Sequence, residues 1–101
     1  MTNHKILNTV LSLVRNEVVG AQAKFPRPFN SAHEGIAVIR EEFDELWDEI
    51  KGNKAEGARQ RQMTEAIQLA AMAVRFLYDL NSHGTLEDEL ERRTTPHDTG
   101  R

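Results

Sequence analysis

The stretch RQRQMTEAIQLAAMAVRFLYDL, residues 59–80, decides the fold. Met63, Ala66, Ile67, Leu69, Ala70, Met72, Ala73, Val74, Phe76, Leu77, Tyr78 and Leu80 cover nearly the whole circumference when projected at about 100° per residue. Gln68, Arg75 and Asp79 remain as a narrow polar stripe. A helix that is apolar on almost every side is a buried helix. Ala66, Ala70, Ala71 and Ala73 are small enough to let neighbouring helices come close.

Two further amphipathic helices precede it. From Asn3 to about Ala23, Ile6, Leu7, Val10, Leu11, Val14 and Val18 recur at helical spacing, and Pro26 and Pro28 in KFPRPFN break the pattern. Ser31-Ala32-His33-Glu34 has the form of a capping box and opens a helix that runs to about Lys51. GNKAEG, with a glycine at each end, supplies the stop and the turn. Asn81-Ser82-His83-Gly84 is a stop for the third helix, a short helix is expected around Thr85–Arg92, and TTPHDTGR has the composition of a frayed end. No segment alternates with period two. The expected fold is all-α: a bundle of three long helices plus a short C-terminal helix, with residues 1–84 as the helical domain and 85–101 as short helix and tail. Two other long helices can hardly enclose the third, so the bundle is expected to be completed by oligomerisation, as a homodimer or homotetramer.

The chain has 101 residues, a formal net charge of -3, 39% hydrophobic and 29% charged residues, and no cysteine. This is one domain's length. Disulfides, thiol catalysis and cysteine zinc sites are excluded, and the acidic balance argues against nucleic-acid or anionic-membrane binding. No apolar run approaches the roughly 20 residues that span a bilayer, and the start of the chain carries polar residues within its apolar stripe, unlike a signal peptide. A cytoplasmic protein is the expectation. Gly-rich phosphate loops are absent.

Chemistry enters with EEFDELWDEI, residues 41–50, which places six carboxylates between Glu41 and Glu49. Ile36, Ile39, Phe43, Leu46, Trp47 and Ile50 project onto one stripe, with most of the acids on the other side. A solvated acidic face accounts for much of this, because like charges one turn apart cost only about 0.2–0.5 kcal/mol per pair. Glu42, with Glu45 and Glu49 beside it, falls at the edge of the apolar stripe, where a side chain can look into the space between helices. Glu65 is the odder residue: it projects beside Leu69, Met72 and Phe76. A buried, ionised, unpaired carboxylate costs several kcal/mol. It calls for a proton, a cation, water near the helix start, or a partner such as Arg61. Arg75 and Asp79, one turn apart, pair most simply with each other.

Glu41-Glu42-Phe43-Asp44-Glu45 on one helix and Glu65-Ala66-Ile67-Gln68 on the next resemble the MazG-like all-α nucleoside triphosphate pyrophosphohydrolases, whose signature is E-E-x-x-E followed by E-x-x-D. The resemblance covers about residues 30–80, and Trp47 and the alanine-rich helix after Glu65 add to it. It implies Mg²⁺, or Mn²⁺, held by Glu42, Glu45, Glu65 and the position of Gln68, with Glu41 as base for the attacking water. The implied substrate is a nucleoside triphosphate, cleaved between the α and β phosphates to the monophosphate and pyrophosphate. Gln68 departs from the family's aspartate and can offer only a neutral carbonyl; a non-catalytic nucleotide-binding or partner-binding oligomer of the same fold is therefore the alternative. Lys51, Lys54 and Arg75 are candidate substrate contacts, against the plainer reading of solvated or internally paired cations. Phe25 and Phe29 either meet a nucleobase or cover the bundle's end. A di-iron bundle would need Glu-x-x-His pairs, and none precedes His4, His33, His83 or His97.

Overall fold

The computed structural model describes residues 1–52, 56–81 and 84–95. Among them the chain forms α1 (His4–Lys24), α2 (Ala32–Lys51), α3 (Ala58–Asp79) and α4 (Thr85–Thr94), and no strand. The all-α expectation and its three-long, one-short helix pattern hold. Lys54, Ser82, His83 and the tail from Pro96 lie outside the described residues.

Local chemistry accounts for the boundaries. Asn3 caps α1 by accepting from the Ile6 N–H at 3.1 Å. At α2 the Ser31 hydroxyl accepts from the Glu34 N–H at 3.1 Å, while the Glu34 carboxylate reaches back to the Asn30 N–H at 2.6 Å. The expected capping box is thus present with its return bond one residue early. Gly52 ends α2 at a negative φ of -96°. Gly57, at φ 81°, makes the left-handed turn into α3, and Gly84, at φ 71°, starts α4 instead of stopping α3. The Asn81 side chain accepts from the Leu86 N–H at 2.9 Å and so caps the short helix from outside.

Helix α3 is the central element: it packs against both α1 and α2, and no other pair makes more than a marginal contact among the described residues. Val14, Val18 and Ala71 form the core, with Ala70 and Met72 against it. Gly35 lets α2 approach α3, because a Cβ there would stand 2.5 Å from the Phe76 ring.

The apolar stripe expected on α2 does not go inside. Ile39 and Leu46 are half-buried, but Ile36, Phe43, Trp47 and Ile50 stay exposed, Phe43 to 52%. The close approach at Gly35 turns a different side of the helix toward α3, bearing Val38, Glu42 and Glu49, and leaves the bulky stripe uncovered. Met63, Val74, Leu77 and Tyr78 of α3 are exposed as well. One chain does not enclose its apolar helix. Its radius of gyration is 16.6 Å, against about 13 Å for a compact domain of this length. No helix among the described residues is long and apolar enough to cross a membrane.

Candidate metal centre

Residues 42 and 45 are one turn apart on α2, and the crossing with α3 brings Glu65 to them. One carboxylate oxygen each from Glu42, Glu45 and Glu65 lie within 4.8 Å of one another. Glu42 and Glu65 are half-buried and Glu45 is exposed. Glu42 Oε2 and Glu65 Oε1 are shut off from solvent and have no hydrogen-bond partner. Arg61 does not neutralise Glu65; its Nε bonds the Glu49 carboxylate at 2.9 Å, and its Nη1 the Glu56 carbonyl at 3.1 Å.

The electrostatics follow from that crowding. Burial first, then the carboxylates of Glu45 and Glu65, hold Glu42 above the usual carboxylate pKa. Burial, then Glu45 and Glu49, raise Glu65 in the same way. Three acids facing one point at neutral pH require positive charge or protons between them. A divalent cation fits this donor set: hard cations take oxygen ligands, and oxygens on opposite sides of Mg²⁺ or Ca²⁺ stand about 4–5 Å apart. The cluster is compatible with metal binding.

Beside the cluster lies a cavity of about 590 Å³ between the end of α1, the 25–29 connection, α2 and α3. That volume suits a small organic ligand. Glu42 belongs to both features, and Glu41 and Gln68 also line the cavity. The second and fourth acids of the EEFDELWDEI stretch, Glu42 and Glu45, and Glu65 are thus brought together, with Glu41 and Gln68 on the adjoining wall.

Comparison with known protein families, curated proteins and solved structures finds no match.

The candidate cations fare differently. Lys51 is exposed at the end of α2, pairs with Asp48 at 3.3 Å, lies over the Trp47 ring at 5.7 Å, and is not on the cavity wall. Lys54 lies outside the described residues. Arg75 does line the cavity, but it is only 5% exposed and its guanidinium is committed. Nε donates to Asp79 at 3.2 Å, Nη1 to the Ala21 carbonyl at 3.4 Å, and Nη2 to the Phe25 and Arg27 carbonyls at 2.5 and 2.9 Å. Asp79 also accepts from the Phe29 N–H at 3.0 Å. The expected Arg75–Asp79 pair is present, and it clasps the connection between α1 and α2. Asp79 is therefore occupied away from the acidic cluster, and Glu49 is held by Arg61.

Sequence reasoning passed over Lys24, Arg27 and Glu34 as cavity residues. The available signal was the pair of prolines: a connection lacking two N–H groups leaves carbonyls that need an outside donor, and Arg75 is a buried one.

Proposed function

We propose that this chain is a divalent-cation-dependent nucleoside triphosphate pyrophosphohydrolase of the MazG-like type. The observation that carries the reading is the triad of Glu42, Glu45 and Glu65, which holds two buried, partnerless oxygens and whose Glu42 also lines a cavity of nucleotide-compatible size. Glu42, Glu45 and Glu65 hold the cation, Mg²⁺ or Mn²⁺, and the Gln68 carbonyl offers a neutral oxygen beside them. When bound, the cation offsets phosphate charge and polarises the α–β phosphate bridge. Glu41 takes a proton from water, whose oxygen attacks the α phosphorus. The bond from that phosphorus to the bridging oxygen breaks, and the oxygen leaves with pyrophosphate. The products are a nucleoside monophosphate and pyrophosphate.

The working form is a homo-oligomer, a dimer or tetramer. The chain exposes 8312 Å², against about 5,800 Å² for a compact monomer of 11.5 kDa. The excess, about 2,500 Å², exceeds the roughly 800 Å² per partner of a standard interface. An apolar depression walled by Ile36, Ile39, Phe43 and Leu69 lies on that open side.

Purified protein incubated with a nucleotide panel and Mg²⁺ is expected to release pyrophosphate, and Glu42→Gln or Glu65→Gln to reduce kcat/KM by about a hundredfold or more. Absence of release with every nucleotide at high enzyme concentration sinks the catalytic claim. One observation favours a second reading: Gln68 on the cavity wall brings no charge, which suits a non-catalytic nucleotide-binding oligomer. Nucleotide binding without turnover distinguishes it.

A further inference from the structure

The cavity's wall has two origins. From α2 and α3 come Glu34, Glu41, Glu42 and Gln68; from α1 and its connection come Glu17, Lys24, Phe25, Arg27 and Phe29. Among the described residues neither Lys24 nor Arg27 is within salt-bridge distance of a carboxylate. Of the cations without an ion pair among the described residues, these two are the ones that line the cavity, where they face its carboxylates Glu17, Glu34, Glu41 and Glu42.

The connection that carries them is anchored. Pro26 and Pro28 fix φ and remove two donors. Arg75 takes the carbonyls of Ala21, Phe25 and Arg27, while Asp79 takes the Phe29 N–H. Arg75 also stacks over the Phe29 ring at 5.4 Å. A backbone held at both ends of residues 25–29 presents its side chains from a set position, which lowers the ordering cost of binding. We propose that Lys24, the last residue of α1, and Arg27, on the clasped segment, form the phosphate-binding wall of the cavity and receive the polyphosphate chain of a nucleotide. This rests on reading the cavity as the nucleotide site. Arginine matches phosphate oxygens with a planar fork and lysine contributes a compact point charge. Glu42 lines the same cavity, so phosphates bound there would meet these cations and one carboxylate of the triad together.

Calorimetric titration with inorganic tripolyphosphate and with a nucleoside triphosphate, in Mg²⁺, tests the wall. Lys24→Gln/Arg27→Gln is expected to weaken both ligands about tenfold or more and to flatten the salt dependence of binding. Lys5→Ala/Arg15→Ala removes the same charge from α1 outside the cavity and is expected to stay within about twofold of the unaltered chain. Equal loss in both double variants, no loss in the first, or no polyphosphate binding by the unaltered chain each overturns the proposal. Pyrophosphate release, measured on the same samples at saturating nucleotide, separates the two claims. Release with unchanged affinity in Lys24→Gln/Arg27→Gln overturns the wall and leaves the hydrolase; lost affinity without release by the unaltered chain supports the wall and overturns the hydrolase.

Discussion

Glu65 projects among Leu69, Met72 and Phe76 on its own helix, and the structure places it against Glu42 and Glu45, with one oxygen sealed from solvent and unpartnered. Its carboxyl and that of Glu42 are held above their usual pKa by burial and by neighbouring acids. The native state therefore binds more protons than the unfolded chain between the ordinary carboxylate value and the raised one. Stability falls as pH rises through that window, and the full penalty stands above it. Without divalent cations, Glu65→Gln is expected to raise the thermal midpoint at pH 8 and to do little at about pH 3, below the ordinary carboxylate value, where the carboxyl is protonated in both states. With Mg²⁺ or Mn²⁺ at about a hundred times Kd, the unaltered chain gains about 2.7 kcal/mol. That gain is expected to be larger at pH 8 than at pH 5, because protons compete for the same oxygens, and to vanish in Glu65→Gln. Thermal melts across pH with and without metal check both; a lower midpoint for the glutamine variant at pH 8, cation-free, contradicts the crowding argument.

Two devices set the elements against each other. The first is Gly35, where α2 meets the Phe76 ring. Gly35→Ala improves helix propensity by up to about 1 kcal/mol but overpacks the crossing by about 1–3 kcal/mol. A net loss of about 1–2 kcal/mol is expected in urea unfolding; a gain would mean that the ring moves freely. The second is the Arg75–Asp79 clasp, 5% exposed on both side chains. Arg75→Met strands a buried carboxylate and three carbonyls, so a loss of about 3–5 kcal/mol is expected, with part recovered in Arg75→Met/Asp79→Leu. The helices themselves were legible: capping at Ser31, breakage at Pro26 and Pro28, and the α3 pattern are local signals, and the observed boundaries lie within about two residues of them. Gly35 carried no such signal, because a glycine inside a helix becomes informative only once its neighbour across the crossing is known. The destination of Arg75 beyond Asp79 was equally hidden, since its carbonyl partners lie 48–54 residues away.

At the scale of the molecule the open apolar surface dominates. Phe43, Trp47, Leu77 and Tyr78 are each roughly half exposed or more, Tyr78 to 66%, in a chain whose core is Val14, Val18 and Ala71 with their neighbours. The proposed oligomer would cover such side chains. Light scattering is expected to give a mass of two or four times 11.5 kDa. Ile36→Glu/Phe43→Glu, which charges the apolar depression, is expected to shift that mass toward the single chain and to lower the thermal midpoint. A monodisperse single chain for the unaltered protein contradicts the oligomer. Periodicity, capping residues and prolines act over a few positions, and so the sequence by itself determined an all-α chain, its helix limits, the apolar excess of α3 and the oddness of Glu65. Tertiary structure alone decided which faces meet: the side of α2 bearing Glu42 turned to α3, its apolar stripe turned out, and Lys24 and Arg27 were brought to one cavity with Glu41 and Glu42. Those outcomes depend on the closeness of one helix crossing and on hydrogen bonds between residues some fifty positions apart, and neither leaves a local trace.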